Sequence, residues 1–152
     1  MKCLLIMSAA AKGNQVYRSF CQPVCKAFDL SPTAFDVMLF LANHPEHNTA
    51  RDVCRIRGIK SGIVSVTVEQ LILRGLLLRE TDLRDRRIQR LRPTPAAEPL
   101  IAAGRQAQQR FEAAIMSAFT PEEYEEYARL TGKLMDHVDR LAKHQESGVS
   151  VC

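Results

Sequence analysis

Two short helical runs joined by a three-residue turn constrain this chain more than any other feature. Thr49 followed three residues later by Asp52 has the spacing of a capping box, and it opens a run carrying Val53, Cys54 and Ile56 that Gly58 ends. Ile59 and Lys60 then lead into a further helix from about Ser61 to Arg74, with Gly75 just past its end. Two helices joined by a tight glycine-containing turn make a helix-turn-helix. At helical spacing Val64, Thr67, Val68 and Leu71 face inward, which leaves Ser61, Gly62, Ile63, Ser65, Val66 and Gln70 on or near the outward face.

The flanking segments are punctuated as cleanly. Ser31-Pro32 supplies a cap and a first-turn proline for the apolar run Phe35 to Leu41, which stops at His44-Pro45. After Gly75, Leu76 to Glu80 and Ile88 to Leu91 read as extended, with the polar stretch Thr81 to Arg87 between them as a hairpin tip. Thr94-Pro95 reads as another cap and start, opening a helix from about Ala96 to Ala118 with Pro99 in its first turns. Thr120-Pro121 starts the last helix, whose stripe is Tyr124, Tyr127, Leu130, Leu134, Met135, Val138 and Leu141. Two long helices carry more apolar face than so small a head covers, so a partner subunit is expected, the alternative being packing against the N-terminal helix. The fold class is therefore mainly α with a small two- to three-stranded β-wing. Residues 31–94 form the winged helix-turn-helix, 1–30 and 95–146 a helical dimerisation region, and 147–152 a flexible tail.

Charge is placed unevenly along the 152 residues. The net charge is +4, yet from Asn48 to Pro93 eleven Lys or Arg stand against five Asp or Glu, a local +6, while the remainder carries −2. A basic middle third suits a phosphate backbone, whose condensed counterions are released on binding; a solvated basic surface is the plainer reading. Apolar residues at 46% and charged residues at 25% describe a packed, soluble domain and not a disordered tail. No apolar run approaches the roughly 20 residues of a membrane-spanning helix. The opening Met1 to Ala11 has only a short, interrupted apolar stretch, so export is not expected and the cytoplasm is.

Five cysteines, Cys3, Cys21, Cys25, Cys54 and Cys152, without CxxC pairs indicate neither a disulfide framework nor a structural metal site. His44 and His47 lack a cluster of further ligands and read as loop histidines, and His137 and His144 as surface or interface residues. No nucleophile with a base, no paired carboxylates and no phosphate-cradling glycine loop stands out, so no catalytic residue, metal or cofactor is assigned and the chain does not read as an enzyme.

From Leu30 to Thr94 the residues at the joints resemble the MarR family of bacterial transcription regulators. Leu30-Ser31-Pro32 resembles the opening of the family's second helix, and Asn48-Thr49-Ala50-Arg51-Asp52-Val53 the start of its third. Gly58 to Ser65, running through Leu71 to Arg74-Gly75-Leu76, has the family's spacing from turn to recognition helix to wing strand, and Asp82-Leu83-Arg84-Asp85-Arg86-Arg87 resembles its wing signature. Val66, Gly62, Pro93 and Ala97 depart from the family's usual residues. The resemblance implies a homodimeric repressor that binds a near-palindromic duplex, its two recognition helices roughly 34 to 36 Å apart, and that responds to a small-molecule effector or an oxidant.

Within that expectation Lys60 takes a phosphate, while Ser61, Gly62, Ile63, Ser65, Val66 and Gln70 are the base-reading candidates. Arg84 and Arg86 at the hairpin tip are placed to enter the narrow minor groove. Asp82 and Asp85 are expected to hold the wing through Arg87 or neighbouring arginines. Cys21 and Cys25, one turn apart around Pro23, are candidates for a redox switch, with burial as apolar core the alternative. A different class of function also fits: a winged helix that has drifted into a protein-interaction module, using Ile63, Val66 and Leu73 on its outward face.

Overall fold

The structure, a computed structural model, describes residues 2–146; the expected tail 147–152, with Cys152, lies outside the described residues, as does the side chain of His144. Six α-helices and one hairpin follow one another as α1 (Lys2–Ala27), α2 (Pro32–Asn43), α3 (Ala50–Arg57), α4 (Ser61–Leu73), β1 (Leu77–Thr81), β2 (Gln89–Pro93), α5 (Glu98–Met116) and α6 (Pro121–Glu146). The chain divides into two compact units, residues 1–111 and 112–152, with the boundary inside α5.

The first unit is built around α2. Ala34, Phe35 and every residue from Val37 to Leu41 are buried, so this helix is apolar nearly all round and has to be enclosed. Its start follows from local chemistry: the Ser31 hydroxyl accepts from the Ala34 N–H at 3.1 Å, with Pro32 behind it. Val53 of α3, Val64, Val68 and Leu71 of α4, Leu77 and Leu91 of the hairpin, Leu100, Ile101 and Ala107 of α5, and Cys21, Val24 and Cys25 of α1 share one core with it. At the packing level α1 and the first half of α5 are thus continuous with the head. Gly104 explains how α5 comes so close to α2, since a β-carbon there would stand 2.7 Å from Leu39 Cδ2.

The helix-turn-helix forms as its sequence dictates. Thr49 Oγ1 accepts from the Asp52 N–H at 3.1 Å while Asp52 Oδ2 accepts from the Thr49 N–H at 3.2 Å, completing the capping box. Gly58 ends α3 at φ +65° and Gly75 follows α4 at φ +69°, both in the left-handed region where a side chain is strained. Arg74 fastens the end of α4 to the α1–α2 connection, donating to the Phe28 and Asp29 carbonyls at 2.7 Å each.

The hairpin pairs antiparallel, Leu77 with Pro93 through Thr81 with Gln89, one to two residues later than the sequence pattern suggested. A single bridge from Thr49 to Arg90 adds a vestigial third strand. The Thr94 hydroxyl does not cap the next helix as expected. It donates to the Gly75 carbonyl at 2.6 Å, and the Thr94 N–H donates to Leu76 at 3.0 Å. Without that cap the chain makes one tight 3-10 turn, Pro95–Ala97, before α5 begins at Glu98, two residues later than the pattern suggested.

The wing tip is held by its aspartates, Asp85 through the backbone of Arg87 and Asp82 through a neighbouring arginine, Arg90. Asp82 Oδ1 accepts from the Arg84 and Asp85 N–H groups at 2.8 and 3.0 Å, and Asp85 Oδ1 accepts from the Arg87 N–H at 2.9 Å. Arg87 therefore joins through its backbone. The guanidinium that pairs with Asp82, at 2.5 Å, is that of Arg90, which also donates to Asn48 Oδ1 at 2.8 Å. Asn48 is buried and its carbonyl accepts from the Leu91 N–H, so tip, strand and the approach to α3 form one network.

In the second unit, Thr120 and Glu123 form a reciprocal cap at the start of α6, with Thr120 N–H to Glu123 Oε2 at 2.9 Å and Glu123 N–H to Thr120 Oγ1 at 3.3 Å. Phe119 stacks on Tyr127 with ring centroids 5.4 Å apart. The stripe from Tyr124 to Leu141 is exposed along its length.

Two outcomes follow from this packing. Gly104→Ala gains helix propensity of up to about 1 kcal/mol but pushes on a buried Leu39, a cost of about 1–3 kcal/mol, so a net loss of about 1 kcal/mol is expected in denaturant unfolding. Trimming Leu39 in the same chain should recover part of it in a double-mutant cycle. Arg90 and the two tip N–H groups hold the Asp82 carboxyl down to about 2 from 3.8. A depressed carboxylate contributes order that is complete above its unfolded value and is lost as pH falls through about 2. Amide exchange at Arg84 and Asp85 should accelerate across that acid window, and Asp82→Asn should exchange faster at neutral pH and lose the acid step.

Candidate nucleic-acid interface

Helix α4 divides into two faces. Val64, Thr67, Val68 and Leu71 are buried as the spacing required, and Ser61, Gly62, Ile63, Ser65, Val66 and Gln70 are exposed. Lys60 stands exposed at the N-cap, where no side chain caps the helix. The first N–H groups of α4 are thus open at an end that carries the positive pole of the helix dipole, next to a lysine, an arrangement suited to an anion. The one carboxylate on this outward surface, Glu69, is tied to Arg79 of β1 at 2.6 Å.

The hairpin presents the second cationic element. Arg84, Arg86 and Arg87 are exposed, and the side chains of Arg84 and Arg86 have no ion-pair or hydrogen-bond partner among the described residues. Leu83 between them is completely exposed. Asp82, by contrast, points back into the Arg90 network, which leaves the tip with free cations and an occupied acid. Arg92 and Glu80 pair across the strands at 2.6 Å, so positive charge on the hairpin is neutralised at its base and open at its tip.

Sequence reasoning missed Asn48 and Glu69, and left Arg90 unnamed among the arginines neighbouring Asp82. Nothing local marks Arg90 as the partner of Asp82, because the pairing depends on hairpin register; the signal that existed was its place in the strand beyond a tip rich in aspartate.

A cavity of about 510 Å³ opens elsewhere in the first unit, lined by Tyr17, Cys21 and Cys25 of α1, Phe35 and Asp36 of α2, Arg57 at the end of α3, and Ile59 and Ile63 at the turn and first turn of α4. Arg57 clamps Asp36 within this lining with two hydrogen bonds, 3.0 and 2.6 Å. Gln108 donates to the Tyr17 hydroxyl at 3.0 Å, and burial, the largest influence, pushes that phenol up to about 12. Burial likewise pushes the Cys21 and Cys25 thiols up. His44 and His47 lie against Glu46, and among the described residues no group of three or more potential metal ligands forms. No helix among them is long and apolar enough to cross a membrane.

Comparison with known proteins places this geometry. The crystal structure of MarR matches with a TM-score of 0.75 at 19% identity, covering 91% of this chain and 93% of that one. A Staphylococcus aureus MepR–DNA complex matches at 0.69 and 18%, covering 89% and 94%. The organohalide-sensing regulator RdhR, in its 2,4-dichlorophenol-bound form, matches at 0.65 and 20%, covering 90% and 80%. At these identities the likeness establishes the winged-helix fold. A family model described as MarR family matches residues 28–88, the segment that holds α2 through the wing tip. Over that segment the chain is similar to the MarR family.

Proposed function

We propose that the chain is a transcriptional regulator that binds duplex DNA in a sequence-specific way as a homodimer. The observation that carries this reading is the pairing of an exposed α4 face with two unpartnered arginines on a wing that is anchored to the approach of α3. Ser61, Ser65 and Gln70 offer hydrogen bonds to base edges, Ile63 and Val66 offer apolar contact to thymine methyls, and Gly62 lets the backbone approach closely. Lys60 meets a phosphate. Arg84 and Arg86 enter the minor groove, with Asp82, Asp85 and the Arg87 backbone fixing the tip. The MarR-family match and the MepR relative crystallised with DNA lend support.

The dimer is assigned to residues 1–30 and 95–146, with 31–94 as the head. An exposed stripe of seven large apolar residues on α6, 40% to 53% accessible in the single chain, is what a second copy would cover. Two-fold symmetry then calls for a near-palindromic operator. The role is that of a cytoplasmic, non-enzymatic repressor released by a small-molecule effector. The cavity, within the usual 300–1,000 Å³ of ligand sites, is the place for that effector, and the relative bound to 2,4-dichlorophenol supports such a response.

One observation favours a protein-binding module instead: Leu73 and Leu83 are 85% and 101% exposed, and Ile63 and Val66 are exposed as well. Salt separates the two readings, because binding through several phosphates weakens steeply with added salt while an apolar interface does not.

Selection from random duplexes should enrich a near-palindrome at low salt. Arg84→Ala should lose about tenfold in affinity, near 1.4 kcal/mol, chiefly on A·T-rich flanks, whereas Lys60→Ala should weaken all sequences alike and reduce the salt slope by about 1. Absence of enrichment at low salt would sink the DNA reading. Leu134→Glu should convert a dimer to monomer in light scattering; a wild-type chain already monomeric at micromolar concentration would refute the α6 interface.

A further inference from the structure

The DNA-facing surface leaves Cys21 and Cys25 unused, although both line the cavity beside Tyr17, Asp36 and Arg57. They stand at i and i+4 of α1, which separates their β-carbons by about 5–6 Å. A disulfide needs about 3.5–4.5 Å between β-carbons, so oxidation to a bridge requires this turn of α1 to open. A metal ion bound to two thiolates, with bonds of about 2.3 Å each, holds its sulfurs as much as about 4.6 Å apart. Side-chain rotation alone reaches that separation with the helix in place. Among the described residues no third metal-ligating side chain joins the pair, so a four-ligand zinc cage has no donors here, whereas a two-coordinate ion has both. Thiolates favour Cu(I), zinc and iron–sulfur clusters, and of these Cu(I) is the ion that two thiolates alone can satisfy.

We propose that Cys21 and Cys25 form a two-thiolate site for a soft monovalent cation of the Cu(I) type, entered through the cavity. The step moves no electrons: two S–H bonds release two protons, two S–Cu bonds form, and the product carries one negative charge. Tyr17, whose hydroxyl accepts from Gln108, lines the cavity with Cys21 and lowers the cost of charge on that sulfur. Arg18 lines the same cavity, and the Asp36 carboxylate, which would oppose the new charge, is clamped by Arg57. Burial keeps both thiols protonated, which disfavours attack on a peroxide, a reaction that needs the free thiolate, but leaves them open to an ion that displaces the proton. Ile59 and Ile63 form another part of the lining, so the site opens into a cavity that reaches the start of α4. Any effect on DNA rests on the proposed function; the binding itself does not.

The test is anaerobic titration of the full chain with Cu(I) against a chromophoric Cu(I) chelator, in a background of Cys3→Ser, Cys54→Ser and Cys152→Ser. One ion per chain is expected, with at least about a tenfold loss of affinity in either Cys21→Ala or Cys25→Ala, each checked for folding by circular dichroism. Equal affinity with one thiol removed would overturn the two-thiolate site. Should either variant fail to fold, alkylation of the unmutated chain decides: one equivalent of Cu(I) should protect Cys21 and Cys25 together, and protection located on Cys54 or the terminal cysteines instead would overturn the proposal. Neither readout contains DNA, so loss of operator binding and loss of metal binding are told apart.

Discussion

The enclosure of α2 is the constraint on which the rest of the first unit depends. A helix with buried residues on nearly every side has no solvent face, so each neighbouring element has to supply a wall. α3 and α4 close one side, the hairpin and α5 others, and α1 closes the remainder with Cys21, Val24 and Cys25. The outward face of α4 is consequently a by-product of which residues α2 draws inward. Val64, Thr67, Val68 and Leu71 are committed to the core, and whatever lies between them faces out.

Much of this was legible in the sequence because it is local. The Thr49–Asp52 box, the Ser31 cap, the left-handed glycines at 58 and 75 and the inward set of α4 each follow from residues within four positions of one another. The features that escaped are those whose partners are distant in the chain: Arg90 with Asn48, Arg57 with Asp36, Gln108 with Tyr17. Thr94 shows the boundary between the two kinds. Its hydroxyl has two possible acceptors or donors in reach, the following helix start and the Gly75 carbonyl, and only the closed hairpin decides between them.

Electrostatics within the candidate interface follow a simple division. Acidic side chains near the outward surface are occupied, Glu69 by Arg79, Glu80 by Arg92 and Asp82 by Arg90, and among the described residues of the hairpin the arginines whose side chains have no partner, Arg84, Arg86 and Arg87, lie at the tip. Such exposed pairs add little stability, about 0–1 kcal/mol each, so their effect is on the field. They cancel charge where the hairpin meets the head and leave it standing where a polyanion would first be met.

Thr94 closes the base of the hairpin with two hydrogen bonds, one to the carbonyl of Gly75 and one to that of Leu76. The chain enters and leaves the wing at one fixed gate, and everything between belongs to a loop whose ends no longer report its length. Closure entropy grows only slowly with added residues. The reach of the wing is therefore free to change by insertion or deletion near its tip without altering the seat of α4, and lineages of this architecture have a dimension in which to vary groove contact independently of the core.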